Sequence, residues 1–278
     1  MTRVGAALDQ ARLRVPVAEA RLLLAHVLER SHAWLAAHGE EGMTAQQSGR
    51  LAELVERRSQ GEPIAYLVGT REFYGRPFAV TPEVLIPRPE TELLVELAIA
   101  KLHGDRENAA PAVLDLGAGS GCVAITLALE LPTASVTAAD LSPAALLLAR
   151  RNADSLRAAV RFVQSDWYSL FDDERFDLIV ANPPYVAAAD PHLGAGDLRF
   201  EPPLALAGGP DGLATIRRIV AGAPGHLSSG GRLLIEHGYD QAAPVAALLQ
   251  AAGFIEIEQH RDLAGIVRVS GACLGNRA

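Results

Sequence analysis

The sequence predicts an α/β protein: a small helical domain, then a hairpin, then a parallel sheet with a ligand cleft at its carboxyl edge. Three observations carry this. The apolar run Phe176-Asp177-Leu178-Ile179-Val180-Ala181 reads as a buried parallel strand and stops at Asn182-Pro183-Pro184-Tyr185. A second buried run, Val113-Leu114-Asp115-Leu116, is followed by Gly117-Ala118-Gly119-Ser120-Gly121 and a helical pattern from about Cys122 to Leu131. Residues 1 to about 70 carry only helical periodicity.

In that first stretch, Pro16 is placed like a first-turn proline, and Ala20, Leu23, Leu24, Val27 and Leu28 share one apolar face. Thr44 and Gln47 have the spacing of a capping box. Leu51, Leu54 and Val55 continue that helix, and Gly61 is a fitting stop. Trp34 reads as core, and no chemistry is visible here. From Gly61 to about Pro89 the texture changes, and Gly75-Arg76-Pro77 between two aromatic-flanked runs reads as a hairpin turn. Ile86 to Glu92 opens a helix through about Leu102, with Arg88 and Glu90 read as surface charges, and a polar loop follows at 103–110.

Strand, glycine loop and helix together let a backbone approach a ligand at a helix N-terminus. The spacing is G-x-G-x-G with Asp115 two residues ahead, not the dinucleotide G-x-G-x-x-G, and alone it also suits a plain strand–helix connection. The next strand, Ser135–Asp140, ends in a carboxylate where an acid takes the ribose hydroxyls of an adenosine-containing ligand; the same Asp140 also suits a simple turn cap. Ser142-Pro143 opens the following helix. A third strand, Val160–Val163, leads to Ser165-Asp166-Trp167, where an acid and an aromatic plane could flank an adenine.

Two consecutive prolines cannot extend a strand ladder, because neither has an N–H to donate. The chain therefore leaves the sheet at Asn182, at the carboxyl edge where open α/β sheets bind ligands. The Asn182 side-chain oxygen and the Pro183 carbonyl are adjacent acceptors that suit a planar –NH2 group, with Tyr185 free to pack on its face.

Composition sets limits. The chain has 278 residues, 49% of them hydrophobic, enough for one large or two modest domains. A net charge of -8 argues against broad binding to nucleic-acid phosphates. Two cysteines, Cys122 and Cys273, give neither a disulfide framework nor metal spacing, and no histidine pair has the i, i+4 spacing of a helical zinc site. With no signal peptide and no long apolar span, the expected location is the cytoplasm.

These motifs together resemble the protein-(glutamine-N5) methyltransferases that modify peptide-chain release factors at the Gln of their Gly-Gly-Gln motif. The resemblance runs over essentially the whole chain: the 61–92 stretch, Asp115–Gly121, Asp140, Asp166-Trp167, Asn182–Tyr185, Glu201–Leu206, Gly209–Leu213, Gly230–Glu236 and Asp262–Gly265. Ala118 stands where Thr is frequent in that family, and Pro210 interrupts a Gly-Asp-Gly segment. The resemblance implies a Rossmann-like class I methyltransferase domain, with a seven-stranded, mostly parallel sheet whose last strand is antiparallel. Phe254–Glu258 and Ile266–Val269 would form its terminal hairpin. It implies S-adenosylmethionine as cofactor, S-adenosylhomocysteine as product, and no metal. Gly117 to Gly121 would hold the methionine end, Asp140 the ribose, Asp166 and Trp167 the adenine, and Asn182 to Tyr185 the substrate amide.

The implied organisation is a substrate-docking helical domain at 1–70, a β-hairpin connector at 71–89 and the methyltransferase domain at 90–278. Release factors are the implied partners, bound by a monomer without direct nucleic-acid contact. A ribosomal-protein glutamine methyltransferase, an amino-methylating DNA enzyme and a non-catalytic adenosine-binding adaptor are the alternative readings. The DNA enzyme shares Asn-Pro-Pro-Tyr because a flipped base presents the same amine.

Overall fold

A computed structural model describes residues 2–105, 110–194 and 196–275. By compactness the chain divides into two units: Met1–Thr70 with Gly194–Phe200, and Arg71–Leu193 with Glu201–Ala278.

The first unit is built on helices α1 (Val4–Ala11), α2 (Val17–Leu28), α3 (His32–Ala37), α4 (Ala45–Ser59) and α5 (Ile64–Val68). Ala20, Leu23 and Leu24 of α2 pack with Leu51, Leu54 and Val55 of α4 in its core. Thr44 and Gln47 form the capping box in both directions. Pro16 is the N-cap of α2 rather than a first-turn residue, and Trp34 is half-buried against the core with its ring stacked on His38. Within this unit Asp197 pairs with Arg58 at 3.1 Å, and the Arg199 guanidinium donates to the Gln60 carbonyl.

Strands β1 (Thr70–Phe73) and β2 (Arg76–Ala79) make the hairpin. Its turn is Tyr74-Gly75, both at positive φ (52° and 72°), not Gly75-Arg76-Pro77. Two successive left-handed residues match the strand twist, and Pro77 is tolerated in β2 because a two-stranded ribbon leaves outward N–H positions unused.

The second unit continues with α6 (Glu92–Asp105), β3 (Ala112–Leu116), α7 (Cys122–Glu130), β4 (Ser135–Asp140), α8 (Pro143–Leu156), β5 (Val160–Gln164) and β6 (Phe176–Ala181). After these come α9 (Pro203–Leu206), α10 (Ala214–His226), β7 (Leu227–Glu236), α11 (Ala242–Ala251), β8 (Phe254–Arg261) and β9 (Val267–Leu274). Helix α6 extends to Asp105, past the expected end at Leu102; residues 106–109 of the predicted loop lie outside the described residues.

The seven strands lie in the order β5-β4-β3-β6-β7-β9-β8. Pairing is parallel from β5 through β7, and β9, the last strand of the chain, is antiparallel to both of its neighbours. The terminal hairpin strands are longer than expected. Strand residues alternate between two buried layers. Leu114, Leu116, Ile179 and Ile235 face α10 and α11, while Val113, Leu178, Val180 and Leu234 face α6 and α7. Period-two alternation with both faces buried explains the almost continuous apolar runs.

The buried Asn152 of α8 ties the hairpin to the glycine loop. It accepts from Ala79 N–H at 2.8 Å and donates to the carbonyls of Ala79 at 3.0 Å and Ser120 at 2.9 Å. Asn152→Ala is expected to lower unfolding stability by about 1–3 kcal/mol, because it leaves the buried Ser120 carbonyl and the half-buried Ala79 backbone groups without this partner; urea unfolding measures it.

Candidate active site

Chain order reverses on either side of β3: β4 lies on one side of it and β6 on the other. A crevice opens at such a point, outside the carboxyl ends of the strands. Here it is a cavity of about 520 Å³, a size that suits a nucleoside-type ligand.

Most of the residues singled out in the sequence meet in it. Gly117, Ala118, Gly119 and Ser120 line it together with Asp140, Asp166, Trp167, Asn182 and Pro184. Gly121, Pro183 and Tyr185 are not among the lining residues. Gly121 is instead the N-cap of α7 at φ 81°, where a Cβ would come within 2.9 Å of Ile125 and 3.0 Å of Ala149. Tyr185 is half-buried. Its ring leans on the core and its phenol donates to Glu236 Oε1 at 3.4 Å, since a buried hydroxyl needs a partner.

The glycine loop is held from below: Gly117 and Ala118 donate to the Ala139 carbonyl, at 2.8 and 3.0 Å. Asp140 both caps and reaches the loop. Oδ1 accepts from Ser142 N–H and Oδ2 from Gly119 N–H, each at 2.8 Å. The Leu141 N–H also bears on this carboxylate, which keeps acceptor capacity toward the cavity that it lines. Burial raises the Asp140 pKa, and the backbone N–H groups oppose that. A Cβ added to Gly117 would lie 3.6 Å from the Trp167 ring, whereas one on Gly119 would meet nothing within 4 Å. Asp166 pairs with Arg218, also on the cavity wall, at 2.8 Å.

Asn182 follows β6 directly and donates from Nδ2 to the Thr91 hydroxyl at 2.9 Å. That leaves Oδ1 as the acceptor end. Thr91 and Glu236 are buried, and the sequence reading assigned neither a role. A signal for Glu236 was present: like Asp140 it is a carboxylate that closes a buried parallel strand. Arg88 is no free surface charge. It lines the cavity and pairs with the buried Glu201, which also accepts from Ile86 N–H at 3.1 Å.

Comparison with known proteins agrees with this architecture. Residues 1–69 match the PrmC N-terminal domain and residues 91–197 the Methyltransferase small domain. The release factor glutamine methyltransferase of Bordetella pertussis is 54% identical over 261 residues, covering 94% of this chain and 96% of that protein. This chain belongs to the release factor glutamine methyltransferase family. The Burkholderia pseudomallei member is 53% identical over 92% of this chain and 91% of its own. Among solved structures, the 16S rRNA N2 G1207 methyltransferase of T. thermophilus, in complex with AdoMet and guanosine, superposes with a TM-score of 0.54. It is 21% identical, covers 75% of this chain and 50% of that one, and shares the fold. Among the described residues, no helix is long and apolar enough to cross a membrane, and no group of three or more His, Cys, Asp or Glu side chains is arranged to hold a metal.

In this family member Asp115 is fully buried beneath the glycine loop, accepting from Ala124 N–H at 3.2 Å. Burial lifts its pKa to about 7, the Ala124 N–H opposes this, and the Asp140 charge adds to it. Between the unfolded value of 3.8 and about 7 the folded chain binds the extra proton, so this residue's contribution to stability falls as pH rises. Asp115→Asn removes that slope. Wild type minus variant unfolding free energy is expected to drop by about 2–4 kcal/mol from pH 4 to pH 7, read from urea titrations at each pH.

Proposed function

We propose that the protein transfers a methyl group from S-adenosylmethionine to the side-chain amide nitrogen, N5, of the glutamine in the Gly-Gly-Gln motif of peptide-chain release factors. One observation carries the reading: the Asn182 carboxamide sits on a stiff Pro-Pro turn, lining the same cavity as the glycine loop and Asp140. The residues fit the cofactor. The Asp140 carboxylate lines the cavity and offers acceptor oxygens to vicinal hydroxyls, the Trp167 ring offers a plane beside Gly117, and the open space above Gly119 admits a ligand against bare backbone. Gly117 to Ser120 would hold the methionine end, with Gly121 shaping the turn; Asp140 would hold the ribose, and Asp166 and Trp167 the adenine.

When bound, S-adenosylmethionine supplies a methyl group already activated on a sulfonium. The task left to the protein is alignment, because an amide nitrogen is a poor nucleophile whose lone pair is delocalised into its carbonyl. Asn182 Oδ1 accepts one amide hydrogen, and the carbonyl of Pro183, which lies in the chain between the lining residues Asn182 and Pro184, is the proposed acceptor of the other. Positioning of this kind is worth about 7–11 kcal/mol in the favourable limit. The same acceptors offset positive charge developing on nitrogen, the converse of an oxyanion hole. No side chain is required as a strong base before transfer, since an alkylated amide is itself very acidic. Tyr185 supports the turn from behind through Glu236.

The helical unit selects the protein substrate, since a turn that reads one amide cannot tell proteins apart. The protein works as a monomer in the cytoplasm, where release factors act, and makes no direct contact with nucleic acid. The ribosomal-protein and DNA readings are not favoured, because relatives carrying the release-factor name match both ends of the chain.

Asn182→Ala is expected to lower turnover by about 10²–10³-fold while sparing cofactor affinity. Asp140→Ala does the reverse, abolishing binding in calorimetry. Wild-type turnover in the first, measured with labelled cofactor and release factor, would remove Asn182 from the reaction. For docking, Leu13 and Val17 are exposed apolar side chains of the helical unit, at 83% and 47%. Leu13→Asp with Val17→Asp should raise KM for release factor about fivefold or more at unchanged cofactor affinity.

A further inference from the structure

We propose that Glu236, acting through the Thr91 hydroxyl, fixes which end of the Asn182 carboxamide faces the cavity. This rests on the role given above to Asn182 Oδ1.

A carboxamide has two ends of nearly equal shape and opposite hydrogen-bonding sense, so something must choose between them. The choice is made where Nδ2 donates to Thr91 Oγ1 at 2.9 Å. A hydroxyl accepts from one partner as readily as it donates to it, and Thr91 alone therefore decides nothing. Its second neighbour does. The Thr91 hydroxyl lies close enough to the Glu236 carboxylate to draw the Glu236 pKa down, as does the Tyr185 phenol. An ionised carboxylate can only accept. In the proposed relay it accepts a hydrogen bond from the Thr91 O–H, which leaves the Thr91 oxygen as an acceptor for Nδ2–H and turns Oδ1 to the cavity. A protonated Glu236 reverses the chain: its O–H donates to Thr91, the Thr91 O–H turns to Asn182, and Oδ1 is consumed as the acceptor. The cavity then meets an –NH2 group, which cannot accept a substrate amide hydrogen.

The surroundings let Glu236 take either form near neutrality. It is fully buried, and Oε2 has no partner in full hydrogen-bond geometry. The charged and titratable groups facing it are Tyr185 after β6, Glu90 on the turn that carries Thr91, Arg268 on β9, and Cys122 at the start of α7. His237 follows it just past the end of β7 but is engaged with the Gly238 carbonyl and the Ser270 hydroxyl, each at 2.9 Å. Burial dominates and lifts the Glu236 pKa to about 7, with Glu90 adding to the rise and Thr91, Tyr185 and Arg268 opposing it. Glu236 and Thr91 are thus positioning residues.

The test uses the full-length protein in two assays. In the first, kcat for release-factor methylation is followed from pH 5.5 to 9, with cofactor affinity measured for each variant. Thr91→Val should lower kcat about tenfold or more at unchanged cofactor affinity, Thr91→Ser should restore most of it, and Glu236→Gln should flatten the acid limb. In the second, the side-chain NH2 resonances of Asn182 in ¹⁵N-labelled protein, identified by their loss in Asn182→Ala, should titrate with the midpoint of that limb and cease to do so in Glu236→Gln and Thr91→Val. Wild-type kcat in Thr91→Val, or an unaltered NH2 titration in Glu236→Gln, overturns the proposal. The resonance needs no methyl acceptor, so a failure of the native protein to methylate release factor counts against the functional reading alone.

Discussion

Strands that run the same way must end on the same edge. In this protein β3, β4, β6 and β7 are all parallel, so Leu116, Asp140, Ala181 and Glu236 finish together. Everything the site needs follows from that constraint: the glycine loop after β3, the carboxylate closing β4, the amide after β6 and the acid closing β7. The reversal of chain order around β3 keeps the neighbouring connections from covering this edge, and the crevice stays open.

The edge is costly to build, because it takes two carboxylates, Asp115 and Glu236, out of water and half-buries a third, Asp140. Asp115, Asp140 and Glu236 all have raised pKa values, with burial the leading cause in each. Their environments nonetheless differ. Asp140 is held by backbone N–H groups on both oxygens, whereas Asp115 has one such donor and Glu236 has side-chain hydroxyl neighbours instead. Backbone donors cannot rotate away or change protonation, so Asp140 is a fixed acceptor. Hydroxyls can reorient, which makes the Glu236 side of the cleft the adaptable one.

Much of this was legible in the sequence, for identifiable reasons. Buried parallel strands print as short apolar runs, and Gly, Pro, Asn and Asp at their ends print as punctuation; the placing of Gly117 to Ser120, Asp140, Asn182 and Pro184 at one cavity was readable on that basis. Thr91 was not, because it lies 91 residues from Asn182 along the chain and its own surroundings read only as a helix start. Arg88 was hidden for the same reason, its partner Glu201 being 113 residues away. The phenol partner of Tyr185 was not legible, because a motif names a residue without saying where its hydroxyl finds a partner. The hairpin turn was displaced because Gly75-Arg76-Pro77 has turn composition, while the actual turn uses Tyr74 at positive φ, which composition does not favour.

The helical unit is not contiguous in the chain. Gly194–Phe200 belongs with the first seventy residues, through contacts that include Asp197 to Arg58 and Arg199 to Gln60. The polypeptide therefore passes between the two units three times, at 70/71, 193/194 and 200/201. Exchange of the N-terminal residues between relatives is thus not a clean module swap. The graft leaves a native heptapeptide facing foreign helices, and that heptapeptide ends one residue before Glu201, the partner of a cavity arginine. A change confined to residues 1–70 therefore alters only one side of the packing inside this unit.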